Sequence, residues 1–185
     1  MLDEVLSDAK RRMERSVEST RHEFTTVRTG RASTSLLDRI QVEAYGSKLP
    51  LNQVATVSAP EARLLVIMPF DRGTMKDIER AIQESDLGLT PGNDGKLIRL
   101  PIPQLTEDRR REFVKVVRGL AEDGRVAIRN VRRDALQHLK EAERDGEAGA
   151  DDTRRGEERV QKLTDEHIGA IDSAAKTKEA EILEV

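Results

Sequence analysis

Apolar or small residues recur at Leu2, Leu6, Ala9, Met13, Val17, Thr20, Phe24 and Val27, in steps of three and four that mark one face of a helix. Gly30 is the expected stop. A second face of the same kind runs through Val117, Leu120, Gly124, Ile128, Val131, Ala135, Leu139 and Ala142, behind an expected N-cap at Thr106 with Glu107 and Asp108 in the first turn. A helix over 106–144 would be ~60 Å long, too long for a compact domain of this size. Gly146 and Gly149, with Asp145, Asp151 and Asp152 around them, predict a turn. A final helix then carries Val160, Leu163, His167, Ile171 and Ala174. Three amphipathic helices, the last two joined by a short turn, predict an elongated three-helix bundle.

The middle of the chain has a different rhythm. Ile40 to Tyr45 alternates apolar and polar residues and ends at Gly46, which predicts a strand. Val54 to Val57 and Leu64 to Met68 are further β-rich runs; the second, apolar throughout, is expected to be buried on both faces. Thr74 to Glu84 places Met75, Ile78, Ala81 and Ile82 at helical spacing, and Leu97 to Leu100 predicts a last strand. All six prolines fall between Pro50 and Pro103, and proline is excluded from helix interiors. Charge density falls with them, to 18 charged residues among positions 31–104 against 49 in the flanks. The expected fold class is therefore α+β: a discontinuous three-helix bundle from 1–30 and 105–185, with a small β/α/β domain inserted over 31–104. Two short crossings, Thr29-Gly30-Arg31 and Pro103-Gln104-Leu105, suit a two-stranded hinge, with a fixed elbow as the alternative.

Composition narrows the function. Charged residues reach 36% and aromatics 2%, the balance of long solvated helices rather than of a large globular enzyme. Cysteine is absent, which removes disulfides, thiolate metal sites and Cys nucleophiles. The first turns mix in acids and lack a signal-peptide core, and no run approaches the roughly 20 apolar residues of a membrane span, so a cytoplasmic protein without membrane contact is expected. His22, His138 and His167 fall on three different predicted helices with no ligand or triad spacing; His167 lies on an apolar face and reads as a satisfied boundary residue. Gly88–Gly95 lacks the Lys-Ser/Thr of a phosphate loop and reads as a turn. Neither a catalytic residue nor a cofactor or metal site is expected.

The net charge of −3 hides a polarised chain. Residues 106–144 carry 11 basic against 8 acidic side chains, and residues 145–185 carry 6 against 12. Arg111, Arg118, Arg125 and Arg132 follow one another at intervals of seven, which on a helix drifts only about 20° per step. Arg129 and Arg133 widen the stripe, the core face lies roughly 80–120° round from it, and Asp123, Asp134 and Glu141 gather on the side away from the core. For any one arginine, pairing with the acidic last helix is an equal alternative. For the set, stacked like charge suits a phosphate backbone better than pairs within the helix, which would alternate sign at i, i+4. Scarce aromatics argue against base stacking and for structured RNA read through phosphates and shape, not DNA.

Four segments carry a resemblance: Arg28-Thr29-Gly30-Arg31-Ala32-Ser33; Ser85-Asp86-Leu87-Gly88-Leu89 with Pro91; Pro103-Gln104-Leu105-Thr106-Glu107-Asp108-Arg109-Arg110; and Val126-Ala127-Ile128-Arg129-Asn130-Val131-Arg132-Arg133-Asp134. In order and spacing they resemble the signature segments of bacterial ribosome recycling factors. The resemblance implies an L-shaped, tRNA-sized monomer lying across the large-subunit tRNA sites, with the smaller domain against the intersubunit bridge. Its implied partners are the ribosome and elongation factor G with GTP, which the factor does not itself hydrolyse. It also implies rRNA contacts by Arg132 and Arg129, with Arg133, Asn130, Arg110 and Arg28 behind them. One departure is visible: the family often has proline shortly after the Arg-Ala-Ser of the first crossing, and Ser33-Thr34-Ser35 has none, which could loosen that strand. The competing expectation is a helical scaffold protein with a peptide-binding β module, which an open apolar seam along the bundle would favour.

Overall fold

A computed structural model describes residues 1–184. Contacts along the chain divide it into two compact units, Met1–Thr29 with the chain from Glu107 onward, and Gly30–Thr106. Each has its own apolar core.

The first unit is built from α1 (Leu2–Thr25), α4 (Glu107–Arg144) and α5 (Ala150–Leu183), all packed on one another. α1 buries Leu6, Ala9, Met13, Val17, Thr20 and Phe24. It ends five residues before Gly30, because Thr25 and Thr26 turn their hydroxyls back onto the carbonyls of His22 and Glu23 at 2.6 Å each. α4 runs 38 residues, ~57 Å at 1.5 Å per residue. It closes on Gly146, whose φ of 74° lets Gly146 and Glu147 donate to the carbonyls of Glu143 and Ala142. The three helices meet closely where side chains are small. Gly124 of α4 faces Thr20 and Ile171, and Gly156 of α5 faces Leu2 and Leu139. The buried hydroxyls of Thr20, Thr153 and Thr164 are satisfied by carbonyls four residues back.

The second unit contains two antiparallel sheets. β1 (Gln41–Ala44) pairs with β2 (Ser47–Pro50), and a four-stranded sheet has the order β3 (Ala55–Glu61), β4 (Leu64–Pro69), β6 (Ile98–Pro101), β5 (Gly92–Asn93). One helical turn, α2 (Leu51–Val54), joins β2 to β3, and α3 (Met75–Glu84) packs Met75, Ile78 and Ile82 into the core beside Val42, Leu65, Ile67, Ile98 and Leu100. β2 escaped sequence reading because Ser47–Pro50 has no apolar alternation; it exists because Tyr45 and Gly46 both take left-handed φ, 54° and 77°, the geometry of a tight hairpin turn. The expectation that β4 is buried on both faces fails. Leu65, Ile67 and Pro69 point inward while Met68 is 54% exposed, since an antiparallel sheet covered on one face alternates whatever its composition.

Both chain crossings are tied to one place. Ala32 N–H donates to the Ala62 carbonyl at 2.7 Å, and Ile102 N–H donates to the Arg63 carbonyl at 2.9 Å, so neighbouring carbonyls of the β3–β4 turn hold both strands. Gly30, at φ 75°, lies against Leu105; a Cβ there would sit 3.2 Å from the leucine Cγ. No helix among the described residues is long and apolar enough to cross a membrane.

Candidate nucleic-acid interface

α4 presents the arginines on one continuous helix, and the residues they meet differ along its length. At its start, Arg111 closes on Glu107 one turn back at 2.5 Å. Arg110 is half-buried, its Nη1 3.5 Å from the carbonyl of Leu183 near the C-terminal end of α5, where cations are favoured. Further along, Arg118 Nε donates to Glu179 of α5 at 2.9 Å, and Arg125 Nε donates to Asp172 of α5 at 2.7 Å. Glu122 takes Arg125 Nη1 at 2.9 Å and Arg129 Nη1 at 3.1 Å. The bonds from Arg125, then Arg129, hold the Glu122 carboxyl below the ordinary glutamate range, while Asp172 foremost raises Arg125 further. Arg118, Glu122, Arg125, Arg129, Asp172 and Glu179, with Lys176, line a groove of about 650 Å³ between α4 and α5.

For Arg111, Arg118, Arg125 and Arg129, therefore, pairing with carboxylates is what the structure contains. The expectation that acids stand apart on α4 is also corrected: Asp134, half-buried, receives Arg12 of α1 at 2.8 Å. Beyond Arg129 the arrangement changes. Arg132 makes no ion pair among the described residues; its Nη1 donates to the neutral amide oxygen of Gln161 at 3.3 Å, and its Nε is buried without a partner. Arg133 and Asn130 are exposed. Arg133 shares a second groove of about 510 Å³ with Gln137, Lys140, Glu141 and Arg144. Arg28 is half-buried past the end of α1.

Pairing with the acidic last helix, the alternative the sequence leaves open for any one arginine, is what the structure shows for Arg118 and Arg125, while which arginine meets which carboxylate does not follow from the row on α4 alone. The signal was present: α5 carries Asp165, Asp172 and Glu179 at the same interval of seven as the arginines of α4. Folding α5 back on α4 about the Ala148–Gly149 link sets Glu179 opposite Arg118 and Asp172 opposite Arg125, and the same register assigns Asp165 to Arg132. Of the histidines, His22 and His138 are exposed, and His167 is half-buried with Nδ1 2.6 Å from the Leu163 carbonyl. Among the described residues no group of three or more His, Asp or Glu is placed to hold a metal ion.

Fold and site together define an α+β protein whose first unit is a three-helix bundle carrying a basic row on its longest helix. The family model described as ribosome recycling factor matches residues 20–183. Relatives named ribosome-recycling factor include that of Rubrobacter xylanophilus, 58% identical over 97% of each chain, and that of Halalkalibacterium halodurans, 57% identical over the full length of both. A solution structure of the ribosome recycling factor matches with a TM-score of 0.76 and 41% identity, covering 100% of this chain and 98% of that one. A second structure, described as models for the T. thermophilus ribosome recycling factor and E. coli elongation factor G bound to the E. coli post-termination complex, matches with a TM-score of 0.65 and 46% identity over the whole of both chains. The chain belongs to the ribosome recycling factor family.

Proposed function

We propose that this protein binds the post-termination ribosome across the large-subunit tRNA sites and, with elongation factor G and GTP, splits it into subunits with release of mRNA and deacylated tRNA. The helical bundle is the rRNA-binding part, and the Arg132–Arg133 end of the basic row is the centre of contact, with Arg129 at its edge. The observation that carries this is Arg132, half-buried and held by a neutral amide rather than a carboxylate, with an exposed Arg133 beside it. A guanidinium without a carboxylate keeps its forked donors for phosphate. The models of the T. thermophilus relative and elongation factor G on a post-termination complex support the choice of partners. Recycling on this reading takes place where ribosomes work, in the cytoplasm. The protein supplies binding and shape, and the energy comes from the GTPase. The crossings Thr29-Gly30-Arg31 and Pro103-Gln104-Leu105 are proposed as the hinge, and the second unit as the part that meets the intersubunit bridge.

A scaffold reading finds little support in the bundle surface. On α4 the exposed large apolar residues are Val116 and Val126, ten positions apart and about 80° apart round the helix, so they make no continuous seam.

Reversing the charge at Arg132 tests the reading. Arg132→Glu should weaken binding to isolated large subunits by about ten- to a hundredfold, the loss of a charge-assisted contact plus added repulsion. The same variant should slow subunit splitting measured by light scattering with elongation factor G and GTP. Unchanged affinity at physiological salt would remove Arg132 from the interface.

A further inference from the structure

The opposed heptads of α4 and α5 form a ladder whose third rung is different. Arg118–Glu179 and Arg125–Asp172 close as ion pairs of 2.9 and 2.7 Å. Arg132 has the corresponding aspartate in Asp165, yet the two are not joined. Gln161 stands between them, its amide oxygen 3.3 Å from Arg132 Nη1 and its Nε2 donating to Asp165 Oδ1 at 2.9 Å. One neutral side chain thus occupies the aspartate with its donor end and the arginine with its acceptor end.

Resting on the ribosome-binding reading, we infer that Gln161 is a positioning residue that keeps Arg132 oriented but electrically unspent, and that Glu179 and Asp172 close the other rungs against RNA. A guanidinium paired with a carboxylate has its charge largely offset locally, so a phosphate gains less from it, whereas a neutral acceptor orients the guanidinium and leaves its positive charge uncompensated. Glu122 adds to the closed half by spanning Arg125 and Arg129. The sevenfold row of arginines therefore offers RNA a short footprint rather than a long one. Contact begins where the ladder opens, at Arg132 and Arg133, and the carboxylates of α5 fix where along α4 the phosphate backbone settles. Uniformly basic rails invite sliding, and a rail neutralised over most of its length does not.

The test uses the full chain and isolated large ribosomal subunits, with the dissociation constant measured across a salt series. Gln161→Glu completes the third rung and should weaken binding about tenfold, one charge-assisted contact. It should also make the dependence of log K on log salt shallower by about one. A Asp172→Asn/Glu179→Gln double variant opens the closed rungs and should bind more tightly with a steeper salt dependence. Because Gln161 and Asp172 are exposed and Glu179 half-buried, thermal midpoints report whether folding is kept, and the salt slope is a quantity that a purely structural role would not move. Gln161→Glu binding as tightly as the unaltered chain, or a double variant that binds no tighter, overturns the inference. Absence of binding by the unaltered chain would instead overturn the functional reading beneath it.

Discussion

At the scale of single residues, two glycines of α4 have opposite meanings. Gly124 is fully enclosed: a Cβ there would run into the Thr20 hydroxyl and lie 2.8 Å from Ile171 Cδ1. Gly119, five residues earlier on the same helix, has nothing within 4 Å of such a Cβ. Alanine at 119 should stabilise the protein by about 0.5–1 kcal/mol through helix propensity alone. Alanine at 124 gains the same propensity but overpacks the junction of three helices, for a net loss of about 1–2 kcal/mol. Urea midpoints of the two variants measure both, and equal shifts would contradict the close approach. The residue scale is also where sequence reading stopped short. Arg111, Arg118, Arg125 and Arg132 look equivalent along the chain because spacing reports direction round a helix and nothing of what lies opposite. Their difference depends on Glu107, Asp172, Glu179 and Gln161, and three of those belong to α5.

Elements were largely legible, and their failures have local causes. The helices α1, α4 and α5 follow from apolar spacing, and the α4–α5 turn from Gly146. The boundaries of α1 and the nature of β4 did not follow: a threonine pair ends the first, and sheet pairing imposes alternation on the second. The β5–β6 turn was read as turn chemistry, and the structure shows how it works. Asp94 accepts from the backbone N–H groups of Leu97 at 2.8 Å and Lys96 at 2.9 Å and from Arg99 Nη1 at 2.7 Å, which together lower its pKa to about 2. Because the folded value lies below the unfolded one, near 3.9, ionised Asp94 contributes stability above pH ~4 that is lost as pH falls toward 2. Asp94→Asn keeps an acceptor for the backbone but cannot titrate. Its urea midpoint should lie below that of the unaltered chain at pH 7 and converge with it at pH 2. A constant gap between the two across that range would show that Asp94 is not the titrating group.

For the whole molecule, two cores imply two cooperative units. Ile128, fully buried among the three helices, is the place to separate them. Ile128→Ala should cost the bundle about 2–5 kcal/mol while leaving the second unit's transition where it was. Amide exchange would then rise throughout α1, α4 and α5 and stay unchanged at Ile67 and Ile98 in the neighbouring sheet. A uniform rise over both units would mean that they unfold as one. The discontinuous bundle could be anticipated from where the prolines lie, because they confine everything non-helical to the middle of the chain.

The neighbouring carbonyls of Ala62 and Arg63, holding Ala32 and Ile102, have a topological consequence. The second unit begins and ends at adjacent points, with Gly30 packed against Leu105. Such a unit enters and leaves the chain at one point. Joining its own ends by a short linker and opening the chain at an exposed turn, such as Asp94-Gly95, would give a circular permutant with the same strand order in space. The bundle, for its part, needs only a bridge across one narrow gap to become a continuous three-helix chain. Evolution could have acquired, lost or exchanged the insert by that route without rewriting either core.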